Sequence, residues 1–245
     1  MTSAFDQLAS GYDRLWTRSP VGHLQREAVW RHIGDLFQPG QTVLDLGCGT
    51  GEDALRLMQD GMRVRAIDAS SEMVKIARDR GVDAVTLPIE NCGLLNESFD
   101  AVLSNFGALN CVEDIEALRD PLARLVRPGG YLAICVIGRF CLWETVWALL
   151  RRQPAKAFRR WRNSVLSSLG VRVFYPSRLR LEAAFRPRFK LINWYGIGLC
   201  VPPSYVTGLS TGLLQKLGAL DRRVAHWPVL RGWSDHRLFV FVRSS

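Results

Sequence analysis

No stretch of this chain approaches the ~18 consecutive apolar residues that a bilayer-spanning helix needs, so no transmembrane helix is expected. Cysteine is scarce and unpatterned. Cys48, Cys92, Cys111, Cys135, Cys141 and Cys200 never fall at C-x-x-C spacing. A metal site is therefore not expected, and free thiols in a reducing compartment are the reading. Met1 to Trp16 lacks a basic start followed by an unbroken apolar run, so no secretory signal is expected and a cytoplasmic location is. Internal repeats and low-complexity tracts are missing as well. What remains is an ordinary globular composition, 48% hydrophobic and 22% charged, with enough apolar material to offset chain entropy.

Charge of one sign is concentrated. The net charge is +9, and between Arg151 and Lys190 there are twelve Lys or Arg against one acid, Glu182. Such a field attracts an anionic group on a small molecule, an acidic membrane surface or nucleic acid; a solvated basic face explains it equally well.

Apolar runs alternate with helical patterns. Helical character covers Phe5 to Phe37, broken at Ser19-Pro20. Strands are expected at Thr42–Leu46, Arg63–Ile67, Val82–Leu87, Phe99–Ser104 and Tyr131–Ile137. Between them fall helices over Glu52–Gln59, Glu72–Arg80, with Ser70 or Ser71 as N-cap, and Asp114–Val126. Strands alternating with helices predict an α/β, doubly wound, parallel sheet. Beyond Gly138 the pattern changes. Trp143, Trp147, Leu150, Phe158 and Trp161 recur at helical spacing, interrupted by Pro154, and suggest a helical insertion. Strand character returns at Phe189–Tyr195 and Arg237–Val242.

The densest chemical signal is Val43-Leu44-Asp45-Leu46-Gly47-Cys48-Gly49-Thr50-Gly51. A strand that turns at once into a helix needs positive φ, which glycine adopts without penalty, and a missing Cβ lets a ligand approach the backbone. Asp68 ends the next strand, placed to accept hydrogen bonds from ribose hydroxyls at the carboxyl edge of the sheet. Met73 could offer an apolar face to a purine. Glu52 stands where a dinucleotide fingerprint has its last glycine, and no Gly-Lys-Ser/Thr ending follows, which disfavours dinucleotides and triphosphates.

Asp45 to Gly51 with Asp68 resembles the cofactor signature of class I S-adenosylmethionine-dependent methyltransferases. The likeness spans about Phe5 to Ile137. Ser98-Phe99-Asp100, Leu125-Val126-Arg127-Pro128-Gly129-Gly130 and the pair Tyr12-Asp13 resemble segments of the small-molecule branch, such as the ubiquinone and menaquinone methyltransferases. The resemblance implies a Rossmann-like, mostly parallel seven-stranded sheet with a helical insertion after the fifth strand. It implies S-adenosyl-L-methionine as cofactor, with Asp45 and the loop Gly47, Cys48, Gly49 and Gly51 at its methionyl end and Asp68 and Ala69 at its ribose. Met73, Ile89 and Glu90 would border the adenine, although Pro88-Ile89-Glu90 departs from the family's usual Asp-Ala or Asp-Leu. Asn105 and Phe106 would join the methionyl pocket, and Tyr12 would close over it. The expected layout is one domain: helices over 1–40, a cofactor core over 41–137, a basic-aromatic lid over 138–188 and closing strands over 189–245.

If the seventh strand of that fold is Arg237–Val242, it runs antiparallel, and its start shares an edge with the ends of the parallel strands. Asp235 and His236 then face the cofactor side near Tyr195. His236 is the preferred base, because histidine titrates near neutrality; a plain strand-terminating role competes with it. Tyr195, Glu144 and His226 are weaker candidates. The insertion around Phe140–Tyr175 would form a lid over a small or lipid-like acceptor, its arginines holding an anionic group or lying on a membrane through 143–162. Packing of its tryptophans into the core competes. Ser104-Asn105-Phe106-Gly107 lacks the Pro-Pro-aromatic motif of amino-methylating nucleic-acid enzymes, so an RNA acceptor is disfavoured. A nicotinamide oxidoreductase and a non-catalytic binding protein remain as alternatives, and an oxygen atom is the expected methyl acceptor.

Overall fold

The computed structural model describes residues 4–167, 169–206 and 208–244. A seven-stranded sheet runs in the order β3-β2-β1-β4-β5-β9-β8. Strands β1 (Thr42–Leu46), β2 (Arg63–Asp68), β3 (Asp83–Thr86), β4 (Phe99–Ser104) and β5 (Val126–Ile137) are mutually parallel. Strand β9 (His236–Arg243) lies antiparallel between β5 and β8 (Phe189–Ile197). Order reverses between β1 and β4, and a crevice opens there at the carboxyl edge, where ligands of such sheets bind.

Alternation along the central strands explains why both faces are covered. Leu44, Leu46, Val102, Leu132, Ile134, Phe239 and Phe241 point to one face and pack with Leu122 of α5 (Arg119–Leu125) and with Leu181 and Phe185 of α8 (Arg178–Phe185). Val43, Leu103, Ala133, Cys135, Leu238 and Val240 point to the other and meet Val29 and Ile33 of α2 (Pro20–Ile33) and Leu57 of α3 (Glu52–Gln59). Each fully buried Val, Leu, Ile or Phe among them contributes roughly 2 kcal/mol of transfer free energy. The six cysteines are free.

The N-terminal break at Ser19-Pro20 is a helix start. Pro20 opens α2, and Ser19 Oγ accepts from Gly22 N–H at 2.9 Å. Before it the chain winds through α1 (Ala9–Tyr12) and a π-helical turn over Asp13–Thr17. Ser70, not Ser71, caps α4 (Ser71–Asp79), accepting from Met73 N–H at 3.2 Å.

The insertion departs from the helical expectation. It contains α6 (Leu142–Leu150) and the single turn α7 (Pro154–Ala157), but then a hairpin of β6 (Ser164–Leu166) and β7 (Arg172–Phe174). The closing segment departs too. Besides strands it holds α9 (Thr211–Val224), whose Ser210 cap accepts from Leu213 N–H at 3.3 Å. Among the described residues no helix is long and apolar enough to cross a membrane.

Candidate active site

The glycine loop leaves β1 under the end of β2. Gly47, Gly49 and Gly51 hold φ of +85°, +53° and +84°, a region costly to any residue with a Cβ. At Gly47 a Cβ would collide with the Ala108 Cβ, so its smallness is a packing demand. Gly51 packs on Ala77 and Val82. Gly49 has open space where its Cβ would stand. Its N–H donates to Asp68 Oδ2 at 2.9 Å, and Ser70 N–H donates to Asp68 Oδ1 at 2.8 Å, fixing that carboxylate at the end of β2.

A cavity of about 280 Å³ opens on this loop. Of the thirteen expected cofactor residues, Tyr12, Gly47, Gly49, Asp68, Ala69, Met73, Ile89, Glu90, Asn105 and Phe106 line it. Asp45, Cys48 and Gly51 lie behind the lining. Cys48 is buried among Ala54, Ala66 and Val74, and burial pushes its thiol far up, so it is an inert packing residue. Sequence reasoning missed Phe5, Gly107, Ala108, Cys111, Val112 and Val171, which the fold brings in from the N-terminus, from the turn after β4 and from the hairpin.

The polar floor is acidic. Asp45, at the end of β1, is 1% exposed, and its Oδ2 has no hydrogen-bond partner. Burial, with Asp53 nearby, raises its pKa well above the carboxylate range. Burial raises that of Asp68 as well. Asp53 is the hub of this floor. It takes a buried ion pair from Arg26, the indole N–H of Trp30 at 2.8 Å and the amide of Asn105 at 3.1 Å. Phe106, the next residue, sits at φ +47° with the Arg26 guanidinium 5.0 Å from its ring centre. No sequence signal marked Arg26 or Asp53, because the helices carrying them meet only in the fold.

Tyr12 reaches the cavity because the N-terminal segment is pinned across it. Thr50 Oγ1 donates to Asp13 Oδ1 at 2.6 Å, Arg80 pairs with the other oxygen, and Ser70 Oγ donates to Asp6 at 2.5 Å. Burial alone would raise the Asp13 pKa, but these donors hold it below the usual range.

The base candidates separate. The start of β9 does share the edge, His236 pairing in register with Ile137 and with Ile197. His236 is 6% exposed, its Nδ1 3.3 Å from Asp235 Oδ2. It lies behind the lining, its ring meeting the Phe106 wall edge-on at 5.3 Å. Tyr195 does not reach the site. β8 runs on to Ile197, and the Tyr195 ring stacks on His32 at 3.8 Å, on the α2 side. Glu144 is 2% exposed and fully engaged by Arg159, Arg160 and Tyr205. His226 is an exposed residue just beyond α9, outside the lining.

Two of the arginines expected to hold an anionic acceptor, Arg159 and Arg160, are otherwise occupied. Arg159 forks onto Glu144 at 2.7 and 2.8 Å, and Arg160 bridges Glu144 and Asp235 at 2.8 Å each. No Lys or Arg lines the cavity among the described residues.

These features fit the cofactor that the sequence resemblance implied. The unpartnered oxygen of Asp45 lacks a donor such as an ammonium group would bring. Asp68 offers a fixed carboxylate to a diol, and Met73 and Ile89 offer apolar walls to a flat base. The acids Asp45, Asp68 and Glu90 suit a ligand bearing positive charge. Residues 44–134 match the family described as "Methyltransferase domain". The chain is 36% identical over 202 residues to a demethylmenaquinone methyltransferase of Mycobacterium sp. (strain KMS), covering 79% of this chain and 85% of that protein. It is 35% identical over 147 residues to the protein of that name from Clavibacter sepedonicus, spanning 55% of this chain and 57% of the relative's length. In fold it is similar to an S-adenosylmethionine-dependent methyltransferase from Mesorhizobium loti, at a TM-score of 0.61 and 18% identity, covering 90% of this chain and all of that one. It is also similar to the magnesium protoporphyrin IX methyltransferase of Synechocystis PCC 6803, solved with bound SAH, at 0.60 and 17% over 98% and 96% of the two chains. The nicotinamide alternative weighed from sequence is thereby set aside: the chain belongs to the class I methyltransferases and uses S-adenosylmethionine to transfer a methyl group.

Proposed function

We propose that the acceptor is a small, uncharged, largely apolar molecule of quinone-like shape, methylated at an oxygen. The carrying observation is the cavity wall. Phe5, Ala108, Val112 and Val171 make its remaining surface apolar, and its charged members are the acids Asp68 and Glu90. An anionic acceptor would meet repulsion there, whereas a neutral ring would be held by burial. The relatives named for demethylmenaquinone support the same class.

Bound S-adenosylmethionine supplies an electrophilic methyl group on a sulfonium. The chain supplies alignment, desolvation and a fixed field. Asp45, Asp68 and the glycine backbone hold and orient the cofactor; Tyr12 and the pinned strap exclude water above it. The β6–β7 hairpin is the lid. Asn110 locks it, donating through Nδ2 to Phe174 O at 2.6 Å while accepting from Ile137 N–H at 2.8 Å. The base role expected of His236 is not carried forward, because its ring lies behind the Phe106 wall and does not line the cavity in which an acceptor would sit.

The test is incubation of the protein with methyl-labelled S-adenosylmethionine and short-tailed demethylmenaquinol, followed by mass spectrometry and NMR of the product. Transfer to oxygen is expected. Transfer to ring carbon would overturn the atom, and efficient methylation of carboxylated or phosphorylated acceptors instead would overturn the acceptor class.

A further inference from the structure

Helix α6 is oriented against the usual amphipathic rule. Its buried side carries Glu144 and Ala148, 2% and 1% exposed. Its outward side carries Leu142, Val146, Leu149 and Leu150, spaced i, i+4, i+7 and i+8 and therefore on one stripe, with Leu150 77% exposed. Beside it Phe158 and Trp161 form an exposed edge-to-face pair at 5.2 Å.

Charge around this apolar surface has one sign. Arg151, Arg152, Arg162 and Arg172 are exposed, and Lys156 is partly so. None of the five has a carboxylate at ion-pair distance among the described residues. The one acid between Leu142 and Tyr175 is Glu144, sequestered beneath the helix by Arg159 and Arg160. The insertion leaves the sheet at the carboxyl end of β5, and its hairpin places Val171 on the cavity wall.

We propose that this face of α6, with the Phe158–Trp161 turn, docks on an anionic phospholipid bilayer. Exposed leucines flanked by tryptophan and arginine suit the boundary between acyl chains and acidic headgroups. A second copy is a poorer occupant, because self-association through this face would bring two unneutralised basic rims together. Docking would turn the cavity edge toward the membrane. The proposal stands on the surface alone and does not depend on which acceptor the site takes.

The experiment is sedimentation of the full chain with phosphatidylcholine vesicles, with and without phosphatidylglycerol. Three double variants are compared: Leu149→Glu with Leu150→Glu, Arg151→Glu with Arg152→Glu, and a charge-matched control, Arg222→Glu with Arg223→Glu on exposed positions of α9. Calorimetric binding of S-adenosylhomocysteine certifies that each is folded. The wild type is expected to sediment only with the anionic vesicles and to be released by salt. The arginine pair should weaken partitioning by at least about 25-fold, roughly fivefold for each basic charge removed near the surface, and the two added acids should weaken it further. The leucine pair should abolish it, and the α9 control should bind as wild type. No sedimentation of the wild type, equal binding to neutral vesicles, or an equal loss in the α9 control would overturn the proposal. So would a concentration-dependent dimer that the leucine pair dissolves. The salt titration of the wild type decides the matter even if a variant fails to fold.

Discussion

Arg160 donates through Nη2 to Asp235 Oδ1 at 2.8 Å, across 75 residues of sequence and with both side chains buried. The same nitrogen reaches Glu144 at 2.8 Å, so one guanidinium ties the insertion to the residue that leads into β9. Full burial alone would raise the Asp235 pKa, yet His236 and Arg160 hold it well below the carboxylate range. Replacing Arg160 by Met leaves the buried Asp235 without its guanidinium, while Glu144 keeps only Arg159. The expected cost is about 3–5 kcal/mol, measured by denaturant unfolding at pH 7. The pH dependence follows from the sign of the shift. A carboxyl depressed in the folded state gives its full stabilisation above its unfolded value, about 3.9, and loses it as pH falls toward the folded value. The stability gap between wild type and Asp235→Asn should therefore be flat from pH 7 to about 5 and shrink below about pH 4. A gap that already closes between pH 7 and 5 would refute this.

Gly47 and Gly49 make different demands on the same loop. Gly47→Ala drives a Cβ into Ala108 and should lower the melting temperature steeply, the backbone having no room to yield. Gly49→Ala pays only the left-handed backbone penalty of roughly 1–2 kcal/mol, since nothing lies within 4 Å of the added carbon. It should fold. Its methyl group would nevertheless stand over the ligand side of the loop, so calorimetric affinity for S-adenosylhomocysteine should fall at least tenfold. A folded Gly49→Ala protein with wild-type affinity would show that the open space is not ligand space.

The loop was legible in the sequence because its signal is local: strand, glycines and acid lie within 24 residues, Asp45 to Asp68. The parallel, doubly wound character of the central strands followed from their alternation with helices. What escaped has physical reasons. The β6 and β7 strands are three residues each, too short for a period-two pattern to show. Tyr195 was misplaced because the strand expected to end at it runs two residues further, to Ile197, and its ring packs on His32 of α2. Arg160–Asp235 and Arg26–Asp53 are tertiary pairs, and no spacing rule on a single strand or helix announces them.

Asp13 holds the N-terminal strap to the loop through Thr50 and Arg80. Asp13→Ala removes both contacts from a partly exposed position, so little global stability should be lost, about 1 kcal/mol. The local effect should be larger. Hydrogen exchange over residues 5–17 should accelerate, and S-adenosylhomocysteine should dissociate several-fold faster. Unchanged exchange across that segment would mean that packing of Tyr12, rather than the pins, keeps the strap closed.

Asp45 presents a conflict between stability and function. Its carboxyl is buried, one oxygen is unpartnered, and its pKa is raised in the folded protein. A raised folded value means that its favourable contribution is complete below the unfolded value of about 3.9 and is lost as pH rises through the folded one. Above the unfolded value the buried carboxyl therefore costs the ligand-free fold stability, the more so as pH rises toward the folded value. Asp45→Asn keeps the shape and removes the titrating carboxyl, so it should raise the melting temperature of the cofactor-stripped protein at pH 7, with the advantage shrinking as pH is lowered. The same change deletes the acceptor that awaits an ammonium group, and affinity for S-adenosylhomocysteine should fall by about 10- to 100-fold, a charged hydrogen bond contributing roughly 1.5–3 kcal/mol. Calorimetry and thermal unfolding on one preparation test both halves. A variant that is less stable and binds normally would mean that Asp45 serves the fold, and the fit of its free oxygen to the cofactor would be lost with it.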